Sequence, residues 1–193
     1  MQIGHFDECI DMCQRLLRRP DSRDPFTCHA SARHNIATCH AHCGRHKEAR
    51  AELLEAMKCP VVSEIPLLEG EILYSLALFE DKLRFDIDAV IGHYKKCIEL
   101  LPQNPRALHN LGNKYRSLGL EKEATVSYQR ALAADSTFTH SAANLAVSLI
   151  AQKRWKEALR ATRSKVPARP PADHQRCQGE ENSILHGKLP HLN

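Results

Sequence analysis

The sequence predicts an all-α protein built from repeated helical hairpins, and three observations lead to that prediction. Hydrophobic residues make up 42% of the 193 residues and charged residues 26%, a composition typical of one globular domain or a short repeat array. Aromatic residues make up only 5%, Ala and Leu are common, and no run of Val and Ile alternates with a period of two. The third observation is internal, because one pattern of residues recurs at a fixed distance of 34 positions.

The repeating pattern is clearest in the second half of the chain. Four pairs of residues stand 34 positions apart: Asn110 with Asn144, Leu111 with Leu145, Gly112 with Ala146, and Ala124 with Ala158. Within the first copy the order is Leu108-x2-Leu111-Gly112-x2-Tyr115, followed by Ala124-x3-Tyr128-x2-Ala131. This period and these residue types resemble the tetratricopeptide repeat family. The resemblance implies a right-handed solenoid in which each unit is a pair of antiparallel helices.

Two earlier units carry a weaker form of the same pattern. Ile36 and Ala37 stand in the Leu-Gly place of one unit, and Leu76 and Ala77 stand there in the next. The distance is 40 residues from Ile36 to Leu76 but 35 residues from Leu76 to Leu111. The unit that contains Leu76 is therefore irregular, with most of its extra residues expected between positions 61 and 70.

Both ends of the chain depart from the repeat. Residues 4–9 match the opening of a second helix, so we expect the first unit to lack its first helix. Pro167, Pro170 and Pro171 do not permit a helix. We predict the following division: 1–25, a partial repeat with the second helix only; 30–63, a repeat; 70–104, the irregular repeat; 105–138, a repeat; 139–166, a repeat with a shortened second helix; 167–193, a disordered tail.

Terminal repeats of solenoids normally carry polar caps, and none is evident at either end of this pattern. We therefore expect a fragment or variant of a longer array, with self-association through the uncapped ends as a possible consequence. The sequence alone leaves open whether the chain is such a fragment or an unusual whole protein.

Charge and hydrophobicity limit the classes of partner. Lys and Arg number 27 against 23 Asp and Glu, and a formal charge of +4 is far below that of a dedicated nucleic-acid binder. No window approaches 18 uncharged apolar residues, and Asp7 and Glu8 stand where a signal peptide would be basic. These features predict no nucleic-acid or membrane partner, a cytoplasmic or alternatively nuclear location, and reduced thiols for the eight cysteines.

The family resemblance implies that the first helices of successive units line a concave groove. The residues just before each Leu-Gly pair would face that groove: Asn35, Ser75, Asn110 and Asn144. An amide side chain can both donate to and accept from a peptide backbone, so we predict that these residues and Asn113 contact an extended or helical segment of a partner protein. We add His34, His109 and Arg116 as candidate specificity residues. The competing interpretation is that these asparagines simply face water.

A narrower interpretation of the same residues is the carboxylate clamp of some family members. Asn113 and Asn144 occupy the places of two clamp asparagines, but His109 stands where the resemblance calls for a lysine. The remaining cations have no counterpart in the sequence. The match to a clamp is therefore partial.

A concentration of Cys and His between positions 28 and 46 raises the question of zinc. The candidate ligands are Cys28, Cys39, His42 and Cys43. Their spacing differs from the CxxC and HxxxH pairs of zinc ribbons and fingers. Cys39 and Cys43 fall three and seven residues after Ile36, on the stripe that the helix would bury. We therefore predict that these cysteines pack in the core, with no metal and no cofactor.

Motifs for catalysis are lacking in the sequence. We find no Gly-rich phosphate loop, no Gly-x-Ser-x-Gly elbow and no Cys/His pair with an orienting group. The sequence therefore predicts a protein-binding scaffold or adaptor and not an enzyme. The alternative is the substrate-recruiting or regulatory portion of a larger enzyme, for example a tetratricopeptide-containing glycosyltransferase.

Overall fold

The computed structural model describes residues 4–18 and 25–163, and within these ranges helices are joined by short turns. The described residues form nine α-helices, a single short 3-10 helix and no strand. The α-helices are α1 Gly4–Leu17, α2 Pro25–His42, α3 His46–Met57, α4 Pro66–Lys82, α5 Ile87–Leu100, α6 Pro105–Ser117, α7 Glu121–Ala134, α8 Thr139–Ala151 and α9 Trp155–Arg163. The predicted all-α, right-handed array of helical hairpins is confirmed.

Each of the four helical hairpins α2–α3, α4–α5, α6–α7 and α8–α9 contains one tight turn, and the four turns have the same geometry. In each turn one residue has left-handed backbone, with φ between +59° and +74°: Gly44, Arg84, Gly119 and Lys153. The next N–H in each turn bonds a carbonyl five residues earlier, as in Arg45 to His40 at 2.8 Å and Leu120 to Tyr115 at 2.9 Å. This is the Schellman arrangement, which ends a helix and reverses the chain within a few residues.

Several helices begin with residues suited to that position. The Asp86 carboxylate accepts a hydrogen bond from the Ala89 N–H at the start of α5, and the Asn104 amide oxygen accepts one from the Ala107 N–H at the start of α6. Proline occupies the first turn of α4 and of α6, where its missing N–H would have no partner. These caps fix where the helices that carry the candidate site begin.

Consecutive helices pack on one another, and the first helices of the hairpins also approach each other. Helix α2 contacts α4 and α6 contacts α8, whereas the described second helices α3, α5, α7 and α9 make no comparable contacts among themselves. The array therefore curves toward its first helices. We call the surface formed by α2, α4, α6 and α8 the concave face.

The largest core cluster lies in the middle of the array, between α4, α5, α6 and α7. It contains the fully buried Tyr94, Val90 and Leu108. Close approach between α6 and α7 depends on Gly112, since a Cβ there would lie 2.6 Å from the Tyr128 ring. The small residue of the Leu-Gly pair is thus required by the neighbouring helix.

The helix bounds can be compared with the predicted repeats. Helix α2 begins at Pro25 and α4 at Pro66, both earlier than the starts predicted for their units at 30 and 70. The extra residues of the irregular unit form the 3-10 helix Pro60–Glu64 and the longer start of α4. Within the 3-10 helix, Val62 is buried in a core cluster formed with residues of α2, α3 and α4. The division into repeats stays a prediction, and the predicted tail, 167–193, lies outside the described residues.

None of the described helices combines the length and the apolar character needed to cross a membrane.

Candidate functional site

A depression of about 530 Å³ lies on the concave face between α2, α4 and the start of α6. Two of the residues predicted to contact a peptide, His34 and Ser75, line it, as does the candidate metal ligand His42. Thr38, Tyr74 and Leu78 complete the adjoining turns of α2 and α4, and Asn104 and Arg106 close the side toward α6. The depression therefore combines an apolar floor with polar groups contributed by three successive first helices.

His34 and Ser75 are held together across the depression. The His34 Nε2 and Ser75 Oγ atoms share a hydrogen bond of 3.1 Å, which joins α2 to α4. Burial lowers the pKa of His34, and the nearby Glu71 carboxylate opposes that shift. His34 is thus favoured in its neutral form, which both donates and accepts hydrogen bonds.

The next part of the concave face is organised around Asn110. Its side chain lies beside the hydroxyl groups of Tyr74 and Tyr94, whose pKa values burial raises. The Arg106 guanidinium lies over the Tyr74 ring, 5.9 Å from its centroid. Asn110 therefore lies where α6 meets α4 and α5, and Arg106 is positioned by an aromatic face rather than by an acid.

Asn113 and Asn144 are brought together between α6 and α8. The Asn113 Oδ1 atom accepts one hydrogen bond from the Tyr128 hydroxyl and another from Asn144 Nδ2, both at 2.8 Å. In the described part of the chain, the Asn113 amide nitrogen and the Asn144 amide oxygen take part in no hydrogen bond. One donor and one acceptor therefore remain available for a ligand.

His109 lies in an aromatic cluster beside this asparagine pair. Its Nδ1 atom shares a hydrogen bond of 2.9 Å with Ser141 Oγ, and its ring is 5.3 Å from Phe138 and 5.6 Å from Tyr128. Burial is the main cause that lowers the pKa of His109, and the charges of His140 and Arg116 lower it further. Arg116 is therefore close enough to act electrostatically on this end of the face.

The concave face carries cations that form no ion pair with a described acid. Lys82, Arg106 and Arg116 belong to none of the ion pairs among residues 4–18 and 25–163, although Lys114 on the same face pairs with Asp81. Glu71 supplies an acidic group to the depression. The face is therefore basic on balance, and a negatively charged ligand would be favoured there.

The residues predicted to contact a peptide form two groups, with one residue between the groups and one apart from them. His34 and Ser75 meet in the depression, while His109, Asn113, Asn144 and Arg116 gather at the other end, and Asn110 lies between the groups. Asn35 is exposed and does not line the depression.

Sequence reasoning missed Tyr74, Arg106, Thr38 and Leu78. Helical spacing could have found three of them, since Arg106 precedes Asn110 by four positions, Thr38 follows His34 by four and Leu78 follows Ser75 by three.

The candidate metal ligands do not converge in the described part of the chain. Cys39 is buried, Cys43 is half-buried, and the His42 ring stacks on Phe6 with a centroid distance of 5.0 Å. The side chain of Cys28 lies outside the described residues. Among those described, no group of three Cys, His, Asp or Glu is arranged to hold a metal ion.

A second and larger cavity, about 660 Å³, lies away from the predicted residues between α5 and α7. Ile98, Leu111 and Tyr115 form its floor, and Lys95, Glu99, Lys122, Glu123 and Arg130 surround it with charges of both signs. Two acids and three bases therefore surround this cavity, whereas one acid, Glu71, faces Lys82 and Arg106 in the depression on the concave face.

Comparison with known proteins agrees with the repeat pattern. The family model for the tetratricopeptide repeat matches residues 93–125. No curated protein matches the chain.

Three solved structures illustrate the likeness of fold. MamA has a TM-score of 0.68 at 18% identity, covering 83% of this chain and 86% of that chain. BtubC (BKLC) from P. vanneervenii has a TM-score of 0.69 at 18% identity, covering 98% and 79%. YrrB, a TPR protein with an unusual peptide-binding site, has a TM-score of 0.59 at 15% identity, covering 84% and 80%. At these identities the likeness concerns the fold alone.

Proposed function

We propose that this chain, a tetratricopeptide repeat protein, is an interaction scaffold that binds an extended, acidic segment of a partner protein along its concave face. The observation that carries the proposal is the depression between α2, α4 and α6, with the cations Lys82 and Arg106 left without acidic partners among the described residues. The proposal makes the chain an adaptor and not a catalyst.

Backbone recognition would come from the amides of the face. After Asn113 and Asn144 bond each other, the Asn113 NH2 group can still donate and the Asn144 amide oxygen can still accept. An extended peptide backbone needs both a donor and an acceptor from the side chains that bind it. Their mutual hydrogen bond holds both amides in place before the ligand arrives. Little side-chain entropy is then lost on binding.

Selection for acidic residues would come from Lys82, Arg106 and Arg116. Arg106 is held over Tyr74, so its guanidinium is oriented without an intramolecular carboxylate that a ligand would have to displace. Charge complementarity of this kind acts mainly on the choice of partner and on the association rate. The peptide-binding site of YrrB, on a similar fold, supports the use of this architecture for peptides.

The alternative, in which the array recruits substrates for a larger enzyme, would use the same face and the same chemistry. It stays a prediction, as do the absence of catalysis and self-association through the ends of the array.

The test is a selection of peptides from a random linear library by the full chain, followed by affinity measurements. We expect the selected peptides to be acidic. The double variant Lys82→Glu, Arg106→Glu should bind them at least about tenfold more weakly, because two attractive contacts become repulsive.

The matched control is Lys122→Glu, Arg130→Glu, which reverses two charges around the cavity between α5 and α7. We expect it to keep most of the affinity. If the control abolished binding while the concave-face variant retained it, the ligand would sit between the second helices and the proposal would be wrong.

A further inference from the structure

Three cysteines lie where α1 packs on α2, away from the depression on the concave face. Cys9 and Cys13 stand one helical turn apart on α1, and Cys39 stands on α2, four residues before Cys43, which directly follows that helix. Cys9 and Cys13 pack against the small buried cluster that contains Cys39. Three thiols therefore meet in the contact between the two helices.

Cys9 is the central member of this group. Its thiol is near enough to those of Cys13 and Cys39 to contribute to the raised pKa of each. Cys39 is only 7% exposed, whereas Cys9 is half-buried, so an oxidant dissolved in water meets Cys9 first. Burial, followed by the contact with Cys9, raises the pKa of Cys39 to about 12, which keeps that thiol protonated in the reduced chain.

The pairing across the two helices is favoured over pairing within α1. Residues four apart on a helix have Cβ atoms about 5–6 Å apart. A disulfide needs about 3.5–4.5 Å. Joining Cys9 to Cys13 would therefore distort α1, whereas Cys9 and Cys39 approach each other from opposite sides of a helix contact.

We propose that Cys9 and Cys39 form a modification site, a dithiol that a peroxide oxidises to a disulfide joining α1 to α2. The Cys9 sulfur attacks one oxygen of hydrogen peroxide, the O–O bond breaks, water leaves, and Cys9 becomes a sulfenic acid. The Cys39 sulfur then attacks the Cys9 sulfur, the S–S bond forms, and the S–O bond breaks. The Cys39 proton leaves with the departing hydroxide as a second water, so two thiols lose two electrons and the peroxide becomes two waters.

The disulfide between Cys9 and Cys39 would link α1 covalently to α2 and so to the rest of the array. The buried part of the contact between α1 and α2 consists of Ile10, Ile36 and Cys39, which is small beside the central core cluster. A covalent bond between positions 9 and 39 closes a long loop and restricts the unfolded chain. Oxidation should therefore suppress local opening of α1.

The test is treatment of the full reduced chain with hydrogen peroxide, followed by proteolysis without reductant and mass analysis of linked peptides. We expect the peptide pair containing Cys9 and Cys39 to dominate. It should be lost in Cys9→Ser and retained in Cys13→Ser, a matched change one turn away on the same helix.

Hydrogen exchange of α1 gives a second readout. Oxidation should slow exchange in α1 at least about tenfold in the unmodified sequence and in Cys13→Ser, and should leave Cys9→Ser unchanged. Dominant pairing of Cys9 with Cys13, dominant linkage between two molecules, or no linkage at all in the unmodified sequence would overturn the proposal.

Discussion

At the scale of single residues, the position of Gly112 shows how the repeat pattern follows from packing. The Tyr128 ring lies where a side chain at position 112 would begin, and the Tyr128 hydroxyl donates to Asn113. The sequence period placed Gly112 at a helix contact. The hydrogen bond that holds the opposing ring could not be predicted, because it depends on how two side chains meet across the contact.

Replacing Gly112 with Ala should therefore destabilise the protein. The new Cβ would lie 2.6 Å from Tyr128 Cε1 and 2.8 Å from Cδ1, and the fully buried ring cannot retreat. We expect a loss of about 1–3 kcal/mol in the free energy of unfolding, measured by urea denaturation. Gly92→Ala is the control, since nothing lies within 4 Å of a Cβ there. It should raise the free energy of unfolding by about 0.5–1 kcal/mol. Equal effects of the two substitutions would contradict the packing argument.

The histidines of the concave face predict a dependence of stability on pH. Burial lowers the pKa of both His34 and His109 in the folded chain. Below about pH 6.5 the unfolded chain therefore binds protons that the folded chain does not. The free energy of unfolding should fall as the pH decreases from 7.5 to 5.5.

Urea denaturation at both pH values measures this effect. The double variant His34→Gln, His109→Gln keeps side chains that can hydrogen bond but removes the titrating groups. Its stability should change less between the two pH values than that of the unmodified chain. An identical change in both proteins would show that other groups cause the dependence.

At the scale of helices and turns, a fixed repeat length reflects a fixed turn. Gly44, Arg84, Gly119 and Lys153 occupy equivalent left-handed positions between the helices of four hairpins. Glycine is the ordinary signal of such a turn. Glycine therefore marks the turns at Gly44 and Gly119, whereas at Arg84 and Lys153 the same geometry is imposed on a residue with a side chain.

Lys153→Gly should stabilise the last hairpin. A residue with a Cβ at φ +61° carries backbone strain, and glycine removes it at some cost in chain entropy. We expect a net gain of about 0.5–1 kcal/mol. The reciprocal change Gly119→Ala should lower the free energy of unfolding by about 1 kcal/mol. Thermal unfolding of both variants tests the pair, and a gain from both would contradict the role assigned to the turn.

At the scale of the whole molecule, the core is unevenly distributed along the array. The central cluster between α4 and α7 is extensive, whereas among the described side chains α1 contributes only Ile10 to the buried set and α9 only Ala158. In a repeat array each unit is stabilised mainly by its neighbours. The all-α architecture was predictable because it follows from the periodicity of the sequence. The number of core residues that each hairpin contributes was not predictable, since it depends on the angle at which the helices cross.

Hydrogen exchange followed by mass analysis should therefore reveal a gradient. Peptides from α5 and α6 should exchange slowest, and those from α1 and α9 should exchange at least about tenfold faster. Reducing conditions keep the cysteines as thiols during the measurement. Uniform protection from α1 to α9 would mean that the array unfolds as one unit, contrary to this prediction.

The candidate site was only partly predictable at this scale. The register of the repeats placed Asn110, Asn113 and Asn144 on first helices, which the structure arranges along one face. The pairing of Asn113 with Asn144 and the position of Arg106 over Tyr74 each join neighbouring units. Such contacts depend on the distance between units, which a repeat pattern does not contain.

The central claim is that a peptide occupies the concave face, and site-specific photo-cross-linking tests it most directly. A photoreactive residue would replace Leu78, which lines the depression, or Val126, which lines the cavity between α5 and α7. With a peptide selected by the unmodified chain, we predict efficient cross-linking from position 78 and little from position 126. Cross-linking from position 126 alone would contradict the account.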